Sequence, residues 1–194
     1  LNAAVLAAGA VKTAVDMVLN QELANAFCIG RPPGHHATKN QAMGFCFFNN
    51  VALGALYAVK NHGIKKVLII DYDVHHGNGT EDIIKDVENI LYFSSFEFPL
   101  YPLTTIPSAS NMITLPLAAR SSGKSFVQNF SQEIMPQLQA FAPDLIFISC
   151  GFDAHSADNI STLKFENDDY IKILGEIIQL AVANGHRRII SVLE

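Results

Sequence analysis

Short runs of β-branched and aromatic residues recur along the chain at "AFCIG" (26–30), "KVLIID" (66–71), "ILYFSS" (90–95), "MITLPL" (112–117), "LIFISCG" (145–151) and "RIISVL" (188–193). Several are apolar at nearly every position, as strands covered on both faces must be. Between them, segments near 1–20, 46–62, 80–87, 123–141 and 167–184 carry apolar residues at helical spacing. Alternation of strand and helix at this spacing predicts βαβ units around a mostly parallel central sheet flanked by helices, an α/β fold. Asn184-Gly185 supplies a helix stop able to take positive φ, and Pro143 with Asp144 separates another helix from its strand. Pro136, inside a helical pattern, predicts a kink or a restart there. The longest irregular stretch, 96–111, holds three of the eight prolines and reads as a loop over a site.

Composition narrows this picture. At 194 residues with 49% hydrophobic content, the chain reads as a single domain over 1–194. A net charge of -5 without like-charge blocks gives no footprint for nucleic acid or an anionic membrane surface. The three cysteines, Cys28, Cys46 and Cys150, are far apart and form no C-x-x-C pair, which predicts reduced thiols in a cytoplasmic setting. The apolar run "AAVLAAGAV" lacks a basic flank and meets Lys12 and Asp16, so a packed helix is expected in place of a signal peptide or a membrane span. With Leu1 first and Glu194 directly after the strand-like "RRIISVL", a fragment of a larger protein is expected.

In an open parallel α/β sheet, ligands bind at the carboxyl ends of strands. Three predicted ends carry chemistry-bearing residues: His35 and His36 after "AFCIG"; Asp71, Asp73, His75 and His76 after "KVLII"; Asp153 and His155 after "LIFISCG". In an extended segment residues i and i+2 point the same way, so Asp73 and His75 can grip one cation, with Asp71 on the same face. A third ligand from another strand end, Asp153, would leave coordination positions open, as catalytic metal sites require. Hydrolysis there also needs a base for water and an acid for the leaving amine, and the tandem His35-His36 can supply both. If one imidazole meets a carboxylate such as Asp71 and the other an amide such as Asn78, their pKa values separate; which takes the proton stays open.

Each feature has a plainer reading: a polar loop for His-His, a turn and cap cluster for Asp-x-Asp-x-His, a cap for Gly-Phe-Asp. Their joint placement at three strand ends favours a metal site. His62 and His186 sit beside helix-ending signals and read as cap or surface residues. His155 reads either as a pocket-mouth residue or as a solvated loop histidine. His76 points away from His75 in an extended segment and reads as structural. The cysteines read as small core residues.

Taken together and in order, "RPPGHHA", "GFCFFNNVA", "DYDVHHGNGT", "LYP" and "SCGFDAH" resemble the zinc-dependent histone deacetylase and acetylpolyamine amidohydrolase family, and Asn78 in "HHGNG" is similar to its class II and bacterial branch. The resemblance runs from about Arg31 to His155. It implies the arginase-deacetylase fold and hydrolysis of an acetylated amine, most often an acetyl-lysine side chain. It implies one Zn2+ per chain on Asp73, His75 and Asp153, with iron or cobalt as alternatives. It further implies a catalytic pair His35 and His36 backed by Asp71 and Asn78, and a substrate channel lined by Gly44 and Phe45. A K+ ion on Asp71, Asp73, the His75 carbonyl and Ser94 is implied as well.

Three departures stand out. The family's catalytic tyrosine follows "VLE", beyond Glu194, and its domain begins before Leu1. "LTTIPSASN" (103–111) stands where the family has a glycine-rich loop, and "HSADNI" (155–160) replaces another characteristic run. The expected partners are an acetylated protein or a small acetylated amine, with no nucleic acid, no membrane, and homo-oligomerisation open. The competing readings are an arginase-like ureohydrolase, which would need two manganese ions and more carboxylates, and a non-catalytic acyl-lysine binding scaffold.

Overall fold

The computed structural model describes residues 1–104, 106 and 109–194. Positions 105, 107 and 108 of the "LTTIPSASN" segment lie outside the described residues.

Along the chain run α1 (Asn2–Leu19), β1 (Ala26–Cys28), α2 (Asn50–His62), β2 (Val67–Asp71), α3 (Asn78–Ile84), β3 (Ile90–Glu97) and β4 (Met112–Leu117). Then follow α4 (Gly123–Asn129), a π-helical turn (Phe130–Ile134), α5 (Met135–Phe141), β5 (Leu145–Cys150), α6 (Asn167–Ala183) and β6 (Ile189–Leu193). Among the described residues the strands form one sheet of order β1-β6-β5-β2-β3-β4. Every neighbouring pair is parallel, so the sheet is wholly parallel where the pattern predicted mostly parallel.

Alternation along the strands splits the core in two. Val67, Ile69, Ile90, Tyr92, Leu145 and Phe147 face one side and pack with Val11, Val15, Val51 and Ala55 of α1 and α2. Leu68, Ile70, Phe93, Ile146 and Ile148 face the other and meet Phe126, Phe130, Leu138 and Ile177. Central strands buried on both faces are what continuous apolar runs require. α1 is long and apolar enough, by length and composition, to cross a membrane. Here its Ala4, Ala7, Val11 and Val15 face is buried, the packed helix expected from the sequence.

The differences from the predicted elements have local causes. The helix expected from 46 begins at Asn50 because Asn49 caps it, its side chain accepting from the Ala52 N–H at 2.9 Å. The single helix expected over 123–141 is two α-helices joined by the π turn, and Pro136 sits in the first turn of the second. Proline cannot donate to the preceding turn, so the helix restarts there. Gly185 takes φ 75° after α6, as the stop signal required.

The chain runs outward from β2 through β3 to β4, and then outward on the other side from β5 to β6. β2 and β5 are therefore neighbours at the point where the winding reverses, and the crevice at their carboxyl ends is where this topology seats ligands.

Candidate active site

Asp71 ends β2, and the chain then turns sharply instead of continuing extended. Asp73 and His75 meet across that turn, not along a strand face: the His75 N–H donates to Asp73 Oδ1 at 2.8 Å and the imidazole Nδ1 lies 2.9 Å from the same oxygen. This corrects the extended-segment reasoning while keeping its outcome. Asp153, beyond β5, completes the group, with Oδ2 at 3.0 Å from His75 Nδ1 and Oδ1 accepting the Val74 N–H at 2.9 Å. Gly151 is needed beside it, because a Cβ there would drive into the Asp73 carboxylate.

The donor set itself asks for a cation. One ligand atom from each of Asp73, His75 and Asp153 falls within 4.8 Å of the others. Two carboxylates converge on one imidazole nitrogen, which carries at most one proton, so hydrogen bonding alone cannot satisfy both. In the protein without metal, burial disfavours charge on His75, but hydrogen bonds to the Asp153 and Asp73 carboxylates win and lift its pKa to about 9. Burial, with Asp73 beside it, pushes the Asp153 carboxyl upward. Asp73 is held low, the charge of His35 and contact with His75 outweighing burial. A cation seated here would relieve the carboxylate convergence.

The histidine pair arrives from the far side on the turn after β1. His35 and His36 are both buried, with ring centroids 4.0 Å apart. Their partners differ in the way that separates two imidazoles. His35 Nδ1 lies 3.1 Å from Asp71 Oδ2, while His36 Nδ1 lies 2.8 Å from Asn78 Oδ1. Burial alone would strip His35 of its proton, yet Asp73 and Asp71 overcome it and raise its pKa well above the ordinary value. For His36 burial is reinforced by the neighbouring His35 charge, and its pKa falls to about 3. Asn78 Oδ1 can only accept, so His36 Nδ1 carries hydrogen and Nε2 is left with a free lone pair.

Further residues hold this arrangement. Tyr92 donates its hydroxyl to Asp71 Oδ2 at 2.8 Å, and the Asp73 N–H occupies the other oxygen at 3.2 Å. Asn49 donates to the His35 and Ala37 carbonyls and to Thr80, and the Thr80 N–H reaches the His35 carbonyl at 3.0 Å. Glycine at 79 lets the two loops touch, since a Cβ would strike the Ala37 carbonyl. Glu97 takes both the N–H and the hydroxyl of Thr162 at 2.9 and 2.7 Å, anchoring the loop that follows Asp153.

These groups line a cavity of about 650 Å³. Gly44, with φ 55° and no room for a Cβ against the His36 ring, and Phe45, 87% exposed with φ 63°, form one wall. Tyr101 meets the His36 ring edge-on at 4.9 Å, so part of the 96–111 stretch does border the site. Phe152, Asp158, Ile160 and Glu194 also face this space. Glu194 follows the last strand, β6, so the signal that points to it is the same strand-end position that singles out Asp71 and Asp153. The pKa of Glu194 is driven up to about 7, chiefly by burial. Asp158 and Ile160 belong to the divergent "HSADNI" run.

Ser94 lies beside Asp71 in register, and its hydroxyl is 3.0 Å from His76 Nδ1. His76 has its other nitrogen 2.9 Å from Glu81, a supporting position away from the Asp73–His75–Asp153 group. His155 faces a separate cavity with Tyr170, so it is not part of this constellation. His186 is buried, not surface: its Nε2 reaches the Pro143 carbonyl at 2.8 Å and its Nδ1 accepts the Arg188 N–H at 3.1 Å. His62 pairs with Asp16 at 2.8 Å near the end of α2. Burial raises the pKa of all three thiols, which leaves them unactivated.

A parallel α/β sheet with paired buried histidines facing a carboxylate–imidazole–carboxylate group at its winding reversal is the arrangement of the arginase-deacetylase fold. The chain matches the histone deacetylase domain over residues 1–194, and it belongs to that family. It is 41% identical over 160 residues to an uncharacterized protein of Synechocystis sp., covering 80% of this chain and 52% of that one. It is 33% identical to a probable deacetylase of Archaeoglobus fulgidus, covering 98% and 55%. It is 32% identical to a histone deacetylase-like amidohydrolase of Pseudomonas aeruginosa, covering 97% and 52%. The crystal structure of the HDA15 HD domain superposes with a TM-score of 0.91 at 33% identity, covering 99% of this chain and 56% of that one. The chain thus spans about half the length of these relatives.

Proposed function

We propose that the protein containing this chain is a zinc-dependent deacetylase that hydrolyses acetylated amines, in the first place acetyl-lysine side chains of proteins. The observation that carries the reading is the meeting of the Asp73–His75–Asp153 group with two histidines of opposite protonation preference in one cavity. Zinc held by Asp73, His75 and Asp153 would lower the pKa of bound water and polarise the acetyl carbonyl. His36, neutral and with Nε2 free, takes the proton of the attacking water. His35, held charged by Asp73 and Asp71, stabilises the negative charge that develops and keeps a proton near the leaving amine, which departs protonated. Gly44, Phe45 and Phe152 give this cavity an apolar part of its lining, suited to an extended alkyl stem. A K+ ion on Asp71, Asp73, the His75 carbonyl and Ser94 would brace the turn. The unpaired thiols accord with a reducing, cytoplasmic setting.

The lining also supports a second substrate class. Asp158 is a carboxylate at the cavity wall, and among the described residues no lysine or arginine lines that space, which suits cationic acetylated polyamines as well as lysine-rich segments. The test pairs a fluorogenic acetyl-lysine assay and an acetylpolyamine assay with metal analysis, on the full-length protein and its Asp73→Ala variant. One zinc per chain and turnover abolished by the substitution are expected. Full turnover by the variant would sink the metal mechanism.

A further inference from the structure

Glu194 stands just beyond β6 with its side chain partly buried at the site, and both of its oxygens accept hydrogen bonds. Oε2 accepts the backbone N–H of Gly34 at 2.6 Å and of His35 at 3.0 Å. Oε1 accepts the Ser149 hydroxyl at 3.0 Å. Ser149 belongs to β5 and pairs in register with Val192 of β6. One carboxylate therefore ties two neighbouring strands to a turn some 160 positions away in the chain.

We infer that Glu194 is a positioning residue: it sets the backbone of the Gly34–His35 turn against the sheet and so fixes where the two imidazoles stand. The turn carries no regular secondary structure of its own, so its amides need an acceptor from elsewhere. His35 is gripped on both sides, its N–H by Glu194 and its carbonyl by the Thr80 N–H and Asn49. Gly34 cannot retreat, because a Cβ there would already strike the Asn50 backbone. With three hydrogen bonds accepted from the protein, most of the carboxylate's acceptor capacity goes to holding geometry. Loosening the turn would misplace both His35 against Asp71 and His36 against Asn78, and misplacement by about 1 Å is enough to cost on the order of 100-fold in rate.

The kinetic half of this inference rests on the deacetylase reading; the structural half does not. The experiment compares Glu194→Ala, Glu194→Gln and Ser149→Ala in the full-length protein, by amide hydrogen exchange of the 31–38 segment and by kcat and KM on an acetyl-lysine substrate. Glu194→Ala should speed exchange at Gly34 and His35 by about tenfold or more. It should also lower kcat by about 100-fold with KM nearly unchanged. Glutamine keeps an oxygen for the two amides and can donate to Ser149, so Glu194→Gln should restore both readouts to near the parent. Ser149→Ala, which frees only the far oxygen, should fall between them. Unchanged exchange in Glu194→Ala overturns the inference, and so does a glutamine variant as impaired as the alanine one, which would assign the effect to charge. If the alanine variant does not fold, the glutamine and Ser149 variants decide by the same two measurements. A parent protein without deacetylase activity would refute the proposed function, while hydrogen exchange would still decide the role of Glu194.

Discussion

The two ends of one sheet both bury histidine, and they use it in opposite ways. At the amino ends of the strands, His186 spends both ring nitrogens on neutral backbone groups, the Pro143 carbonyl and the Arg188 N–H. At the carboxyl ends, His35 faces a carboxylate and His36 an amide, and each leaves its other nitrogen toward a cavity shared with Asp73, His75 and Asp153. Burial is similar; the partners are not. A histidine with two satisfied neutral partners is a bracket, whereas one with a single partner and an open nitrogen can carry a proton.

The strongest way to break the contrast is to remove the group that needs a cation. In the full-length protein Asp73→Ala should abolish metal retention and lower activity by well over about 100-fold, the loss expected even for residues that only support ligands. Compared with the metal-free parent, the variant should also melt at a lower temperature, because the His75 N–H and the charged His35 lose their carboxylate partner. Metal analysis and calorimetry check both halves, and a variant that keeps its metal would contradict the ligand set.

Swapping the two kinds of histidine comes next. His36→Ala should lower kcat by about 100- to 10,000-fold with stability little changed. His186→Ala should leave kcat unaltered and destabilise by about 1–3 kcal/mol, because a buried carbonyl and N–H lose their partner. Activity loss in the His186 variant, or a comparable stability loss in both, would erase the distinction.

The paired histidines His35 and His36 give the fold a pH signature. His36 titrates at about 3 in the folded protein and near its ordinary value of about 6.5 when unfolded. The unfolded chain therefore binds the extra proton over this window, and stability falls as pH drops from 6.5 toward 3. His35 has the opposite sign: its raised pKa stabilises the metal-free fold at low pH, and that contribution is lost as pH rises through its folded value. Urea titrations of the metal-free protein at pH 7 and pH 4 should show a smaller acid loss in His36→Gln than in the parent, by up to about 1.4 kcal/mol per pH unit. An identical pH dependence would show that His36 is not held neutral.

The smallest effect is expected at His155, which sits in the loop between the site and a second cavity and accepts the Ala157 N–H. His155→Ala should stay within about 0.5 kcal/mol of the parent with turnover unchanged. A large loss of turnover would move this residue into the mechanism.

Much of the molecule was legible in the residues alone. Apolar runs buried on both faces specify strands of a parallel sheet, because only helices on both sides can cover them. The strand-end rule then places His35, His36, Asp71, Asp73, His75, Asn78 and Asp153 on one side of that sheet, since their distance from a strand end is a property of the sequence. What periodicity cannot carry is the path of the chain after a strand stops. The Asp73–His75 contact comes from a sharp turn, His186 is buried by the neighbouring loops, and the restart at Pro136 takes the form of a π turn. Only the tertiary structure decided that β6 closes beside β5 and brings Glu194 to the Gly34–His35 turn. Local propensity and spacing act over a few residues, whereas a hydrogen bond across 160 positions exists only once the sheet has chosen its order.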